Sequence, residues 1–267
     1  MSSSDLIFII GRQRSGTTVL RDMLARHGAM DCDEIMHGEP NPDFPLRFYE
    51  YVASEVIRRP EYAHPLRHLG LFYSYVNELR AIAGSRKLAM DVKYFGLNLI
   101  PQKEDVLGRT PFIIKFMREQ RARVVHLVRA NKLRVHVSEQ MAYATGRWSA
   151  GDRSAMPAYK PRLEIDIEKC VSFIKRQITL DQHVSRLLDV VPGVIKLQYH
   201  EMFDADGLFA ESTQRIVGGL LDRGEIDPKP GNLRMNPEPL SHLVTNYEAL
   251  HEALQGTQYA WMLTDEY

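Results

Sequence analysis

Eight residues near the start of the chain, Gly11-Arg-Gln-Arg-Ser-Gly-Thr-Thr18, combine two glycines, three hydroxyls and two arginines. Glycines let a backbone close around an anion, and amides at a helix N-terminus turn their positive ends towards it. The triphosphate-binding loop GxxxxGK[ST] works in this way, with its lysine reaching the β- and γ-phosphates. Here Thr17 stands where that lysine belongs. The cation is instead Arg14, directly before Ser15-Gly16-Thr17-Thr18, so the loop suits a shorter anionic group than a triphosphate.

A second stretch, Arg123-Val-Val-His-Leu-Val-Arg129, is an apolar run that ends on an arginine, with Ser138 nine residues on. A guanidinium with a serine hydroxyl is suitable chemistry for a terminal phosphate. In a triphosphatase a core strand normally ends in an aspartate that helps to hold magnesium; this one ends in the opposite charge. Asp91, inside the run 88–94, keeps a magnesium-dependent kinase open as an alternative. Arg118, Arg121 and Arg123 read as solvated surface, whereas Arg134 shares a helix face with Ser138. His126 alternates with apolar neighbours and reads as a core histidine.

These groups need a scaffold that brings distant segments together. Strands are expected near 6–10, 88–94, 124–128 and 194–199, separated by helical patterns at 17–27, 47–58, 65–82, 109–120, 132–146, 167–190, 208–221 and 239–254. Such alternation predicts an α/β fold with a mainly parallel sheet flanked by helices. Residues 150–161 and 224–239 read as loops over the sheet edge. No repeat or linker divides the chain, so residues 1–267 are expected to form a single domain with helical insertions near 40–85 and 150–190.

Lys plus Arg and Asp plus Glu both total 34, so no bulk charge draws the chain to nucleic acid or to a membrane surface, and any anion site must be local. The first five residues lack a basic segment and no apolar run approaches 18 residues, so neither a leader nor a membrane span is expected and the cytoplasm is the expected location. Cys32 and Cys170 read as reduced core cysteines, and no metal-ligand spacing is present in the sequence.

Two anion sites at two strand ends imply a nucleotide with phosphates in two places. The patterns RSGTTxLxxxLxxH at 14–27 and LVRxNxLxxxVS at 127–138 resemble the sulfotransferase family, with a first motif like that of the protein-tyrosine sulfotransferases. Residues 195–203 (IKLQYHEMF) and 236–250 (NPEPLSHLVTNYEAL) are similar to later family segments, the second one recurring in bacterial members. The resemblance implies a P-loop nucleotide-hydrolase-like fold and a sulfuryl donor, 3′-phosphoadenosine 5′-phosphosulfate, with adenosine 3′,5′-bisphosphate as product and no metal required. It assigns Arg14, Ser15, Gly16, Thr17 and Thr18 to the phosphosulfate loop and Arg129 with Ser138 to the 3′-phosphate. Tyr199 and Trp148 are candidates to stack on adenine, and Arg234 to close over the nucleotide. Arg14 and Lys93 would supply cations for the leaving group, and Glu34, on the loop expected after the first helix, would be the base; His37 and Glu39 stay open for that role. The acceptor would be a hydroxyl of a small molecule, glycan or lipid. A homodimer and a catalytically inactive nucleotide-binding protein are both left open.

Overall fold

The computed structural model describes residues 4–39, 41–45, 47–64, 67–98, 111–148, 159–232 and 234–264. Five strands, β1 Leu6–Gly11, β2 Met30–Glu34, β3 Leu88–Lys93, β4 Arg123–Val128 and β5 Ile195–Gln198, form a wholly parallel sheet in the order β2-β3-β1-β4-β5. The helices among the described residues are α1 Thr17–Arg26, α2 Phe48–Arg58, α3 His68–Ala83, α4 Phe112–Glu119, α5 Lys132–Thr145, α6 Ile167–Leu188, α7 Glu211–Leu221, α8 Leu240–Leu243 and α9 Tyr247–Leu254. A central strand running through a glycine loop into α1 makes this a P-loop nucleotide-hydrolase-like α/β fold.

The continuous apolar runs follow from burial on both faces of the sheet. Phe8 and Ile10 of β1 pack with Met90 and Val92 against Phe72, Phe112 and Phe116 on one side. Ile7 and Ile9 pack with Val125 and Leu127 against Leu20, Met23 and Leu24 of α1 on the other. The strand period of two places Ala89, Asp91 and Lys93 on the α1 side, so two charged residues in β3 are buried there. His126 is the expected core histidine. Its Nε2 meets the Tyr94 hydroxyl at 2.8 Å, and burial pushes its pKa down to about 4.

Two expectations need correction. Residues 30–34 form a strand, not a loop: Met30 and Cys32 enter the core while Asp31 and Asp33 face Arg21 of α1, which neutralises carboxylates that would otherwise forbid burial. The helix expected over 239–254 is broken into α8 and α9. Thr245 N–H donates to the Leu163 carbonyl at 2.8 Å, and the Asn246 side chain pairs with both backbone groups of Ile165, which draws that backbone out of the helix. The starts of the helices expected at 65 and 109, and most of the loop at 150–161, lie outside the described residues. Both cysteines are buried and unpaired.

Candidate active site

Each strand hands the chain to the same edge of the sheet, and the candidate residues follow those ends directly. β1 leads into the glycine loop, β2 ends on Glu34, β3 ends on Lys93, Arg129 follows β4 and Tyr199 follows β5. The carboxyl edge of a parallel sheet is where ligand crevices form in such folds. Here a cleft of about 1200 Å³ is lined by Arg14, Gly16, Thr17, Thr18, Glu34, Lys93, Arg129, Ser138, Trp148, Tyr199 and Arg234, among others.

The glycine loop is sterically determined. A Cβ on Gly11 would lie 2.6 Å from Thr17 Cγ2, and one on Gly16 would lie 2.6 Å from the Tyr199 ring. Gly16 also has φ +94, a left-handed conformation that side chains disfavour, and it caps α1 without a side-chain hydrogen bond to the first amides. Thr17 and Thr18, which open α1, line the cleft, and a helix N-terminus is where an anion is favoured. Ser15 is placed differently from its neighbours. It is buried, its hydroxyl donates to the Arg12 carbonyl at 2.6 Å, and it is not among the cleft-lining residues.

Beside the loop lies a connected charge network. Lys93, 3% exposed, extends its Nζ to Asp91 Oδ2 at 2.7 Å, to Glu34 Oε1 at 3.2 Å and to the Thr17 hydroxyl. Arg21 meets Asp31 at 2.8 Å, Asp33 at 2.9 Å and the fully buried Asp91 at 3.5 Å. Arg47, at the start of α2, grips Asp33 from the opposite side with Nε at 3.1 Å. Burial opposes the Arg21 charge, but the three aspartates outweigh it and its pKa is raised. The two carboxylates flanking Cys32 are pushed apart: burial dominates at Asp31 and raises it, whereas at Asp33 the hydrogen bond and charge of Arg47, with Arg21, overcome burial and lower it. His37 and Glu39 belong to this support rather than to the cleft lining. Arg47 and the Glu39 amide both donate to His37 Nδ1, at 3.0 and 3.1 Å, and Arg47 also binds the Glu39 carbonyl.

The second cationic group faces the loop across the cleft. The Arg129 guanidinium lies over the Tyr199 ring, 4.5 Å from its centroid, and donates to the Arg14 carbonyl at 3.3 Å. Burial first, then Arg234, Arg134 and Arg14 nearby, push its pKa down to about 10. Ser138 is not bonded to Arg129. Its hydroxyl accepts from Arg14 Nε at 3.0 Å and from Asn236 Nδ2 at 3.4 Å, which ties the glycine loop to α5. Arg14, at φ +65, also donates to the Trp148 carbonyl. Arg129 is held from behind by Lys132, whose Nζ donates to the Arg129 carbonyl at 2.6 Å and pairs with Asp181. The Tyr199 ring, considered for adenine, packs beside Gly16 and Arg129 and lines the cleft.

A profile of the sulfotransferase family matches residues 5–205. The chain belongs to the sulfotransferase family. The match spans all five strands, the glycine loop and Tyr199, and ends before the loop carrying Arg234 and Asn236. Among solved structures the chain is similar to a shikimate kinase from Bacteroides thetaiotaomicron, at 13% identity over 81% of this chain and 98% of that one, with a TM-score of 0.40. A search of curated proteins gives no significant match.

Arg21, Asp33, Arg47 and Asn236 were not singled out from the family motifs. Arg21 had one signal, its place four residues after Thr17 on the same face of α1. Its three carboxylate partners become neighbours only through the crossovers of the sheet. No group of residues suited to a metal ion occurs among the described residues, and no helix there is long and apolar enough to cross a membrane.

Proposed function

We propose that this family member transfers a sulfuryl group from 3′-phosphoadenosine 5′-phosphosulfate to a hydroxyl acceptor by in-line displacement. The observation that supports it best is the meeting, in one cleft, of a lysine-free glycine loop after β1 with the arginine that follows β4. The donor set suits such a molecule: the glycine turn at Gly16, Thr17 and Thr18 at the N-terminus of α1, and the guanidinium groups of Arg14 and Arg129 line one cleft. When bound, the donor supplies an electrophilic sulfur attached to a phosphate leaving group.

In this reading the 11–18 loop and Arg14 hold the phosphosulfate end, while Arg129, with Ser138 setting the loop geometry, holds the 3′-phosphate. Lys93 lies beside Thr17 and balances negative charge on the leaving phosphate. Glu34 takes the acceptor proton as the new oxygen–sulfur bond forms. The acceptor would enter from the side lined by Asp31, Glu34, Asn41 and Phe44, and its hydroxyl could belong to a small molecule, glycan or lipid.

Calorimetry with adenosine 3′,5′-bisphosphate, against ATP with magnesium, separates the classes. Tight binding of the bisphosphate that survives chelation is expected, and a strict magnesium-dependent preference for ATP would return the chain to the kinase reading. Screening hydroxyl compounds with labelled donor then supplies an acceptor. With it, Glu34→Gln should bind nucleotide normally and lose roughly 10²–10⁴-fold in turnover. Normal turnover by Glu34→Gln, with loss in His37→Ala or Glu39→Gln, would move the base.

A further inference from the structure

The pairing of β2 with β3 contains an irregularity at a telling place. Asp31 faces Ala89 and Glu34 faces Asp91, so β2 spends three steps where β3 spends two. One extra residue is accommodated there, and Asp33 has φ +58. An L-residue reaches that left-handed region at a cost, with Asn and Asp the most tolerant non-glycine types.

The extra residue decides where Glu34 points. Met30 and Cys32 face the core formed with Phe48 and Phe72. In an unbroken strand Glu34 would follow them, because side chains alternate with a period of two. Its carboxylate would then enter an apolar interior. With the bulge, Glu34 stands level with Asp91 and its Oε1 lies 3.2 Å from Lys93 Nζ, in the cleft. Bulges re-aim side chains in this manner beside functional sites.

The bulge residue is also the most tightly held carboxylate of the strand. Asp33 Oδ1 meets Arg21 Nη2 at 2.9 Å, Oδ2 accepts from Arg47 Nε at 3.1 Å and from Asn41 Nδ2 at 3.3 Å, and its own amide donates to Asp31 Oδ1 at 2.8 Å. Helix α1 and the start of α2 therefore close on it from two sides. We infer that Asp33, clamped between Arg21 and Arg47, is a positioning residue that maintains the β2 bulge and so aims the Glu34 carboxylate at Lys93 and the cleft. Its kinetic consequence rests on the reading of Glu34 as the base.

Crystal structures of Asp33→Gly and Asp33→Asn test the aiming without any need for activity. Glycine tolerates the positive φ but removes the clamp, so the Glu34–Lys93 contact should be lost; asparagine keeps both the φ and one acceptor, so the contact should remain. Retention of the contact in Asp33→Gly would overturn the inference. With donor and acceptor, Asp33→Ala should lose on the order of 10²-fold in kcat, the scale of an ångström-level misplacement, with nucleotide Kd unchanged. Asp33→Asn should recover most of that loss. The Asp33→Ala/Glu34→Gln double variant should be no slower than Glu34→Gln alone, since both remove one function. Additive losses would show that Asp33 acts independently of Glu34 and would sink the proposal, whereas full turnover by Glu34→Gln would sink only the base reading.

Discussion

Gly16→Ala isolates the steric logic of the glycine loop. The added methyl carbon would lie 2.6 and 2.8 Å from two carbons of the Tyr199 ring, whereas unstrained carbon contacts fall near ~3.5–4.0 Å. The ring must retreat by roughly 1 Å or the loop must open. Holding alanine in a left-handed conformation adds about 1–2 kcal/mol, and overpacking adds about 1–3 kcal/mol. Because Arg129 rests 4.5 Å above the same ring, movement of Tyr199 disturbs the arginine as well as the loop amides. Affinity for adenosine 3′,5′-bisphosphate should therefore fall at least ~10-fold, equivalent to about 1.4 kcal/mol. Gly28→Ala is the control. Its φ is +103, yet the nearest group, Arg223 Nη1, would be 3.6 Å from the new Cβ and lies outside the cleft lining. That variant should show the backbone cost in thermal unfolding, with unchanged nucleotide affinity in calorimetry. If Gly16→Ala bound nucleotide as well as Gly28→Ala does, contact between Tyr199 and the loop would not govern the site.

Arg129→Ala should weaken binding of adenosine 3′,5′-bisphosphate by about 1.5–3 kcal/mol while leaving adenosine 5′-monophosphate little changed; equal losses in calorimetry would remove Arg129 from the 3′-phosphate. Ser138→Ala should affect both nucleotides, because its hydroxyl is held by Arg14 of the loop, and selective loss of the bisphosphate would contradict that coupling. Lys93→Met strands the Asp91 carboxylate with only Arg21 at 3.5 Å, so denaturant unfolding should show a loss of about 3 kcal/mol or more, and a stable Lys93→Met variant would show that the network is better solvated than its burial implies. His126 titrates near 4 when folded and near 6.5 when unfolded, so its contribution is complete above about 6.5 and is lost as pH falls from there towards 4. Replacement by Phe or Leu should flatten the stability profile in that window, and an unchanged slope would refute the assignment.

Much of this site could be read from local pattern because its parts are local. The glycine loop joins an apolar strand to an amphipathic helix, and Lys93 and Arg129 close apolar runs, so the fold carries them to one edge without further information. Where reading failed, a residue's environment came from elsewhere in the chain. The segment Met30–Glu34 contains three carboxylates in five residues and has the composition of a loop. It is a strand because Arg21 and Arg47 arrive from two helices to neutralise it. The hydrogen bond from Arg14 to Ser138 ties the glycine loop to α5, and no motif spacing encodes that contact.

The missing loop lysine and the buried Asp91 are one adaptation. Thr17 holds the position from which a triphosphatase lysine would reach phosphate, and its hydroxyl instead receives a lysine from β3. Lys93 is anchored there by Asp91 at 2.7 Å and is shared with Glu34 at 3.2 Å. Asp91 is thus the carboxylate that a magnesium-dependent reading would have to recruit, yet it already bridges Lys93 and Arg21 with no solvent exposure. Releasing it would leave Lys93 with Glu34 and Arg21 with Asp31 and Asp33, each without its most buried carboxylate. The same contacts couple the cation beside the glycine loop to the carboxylate at the end of β2. A change in Asp91 should therefore disturb Lys93 and Glu34 together, whereas a loop lysine carried on α1 could be lost without moving either.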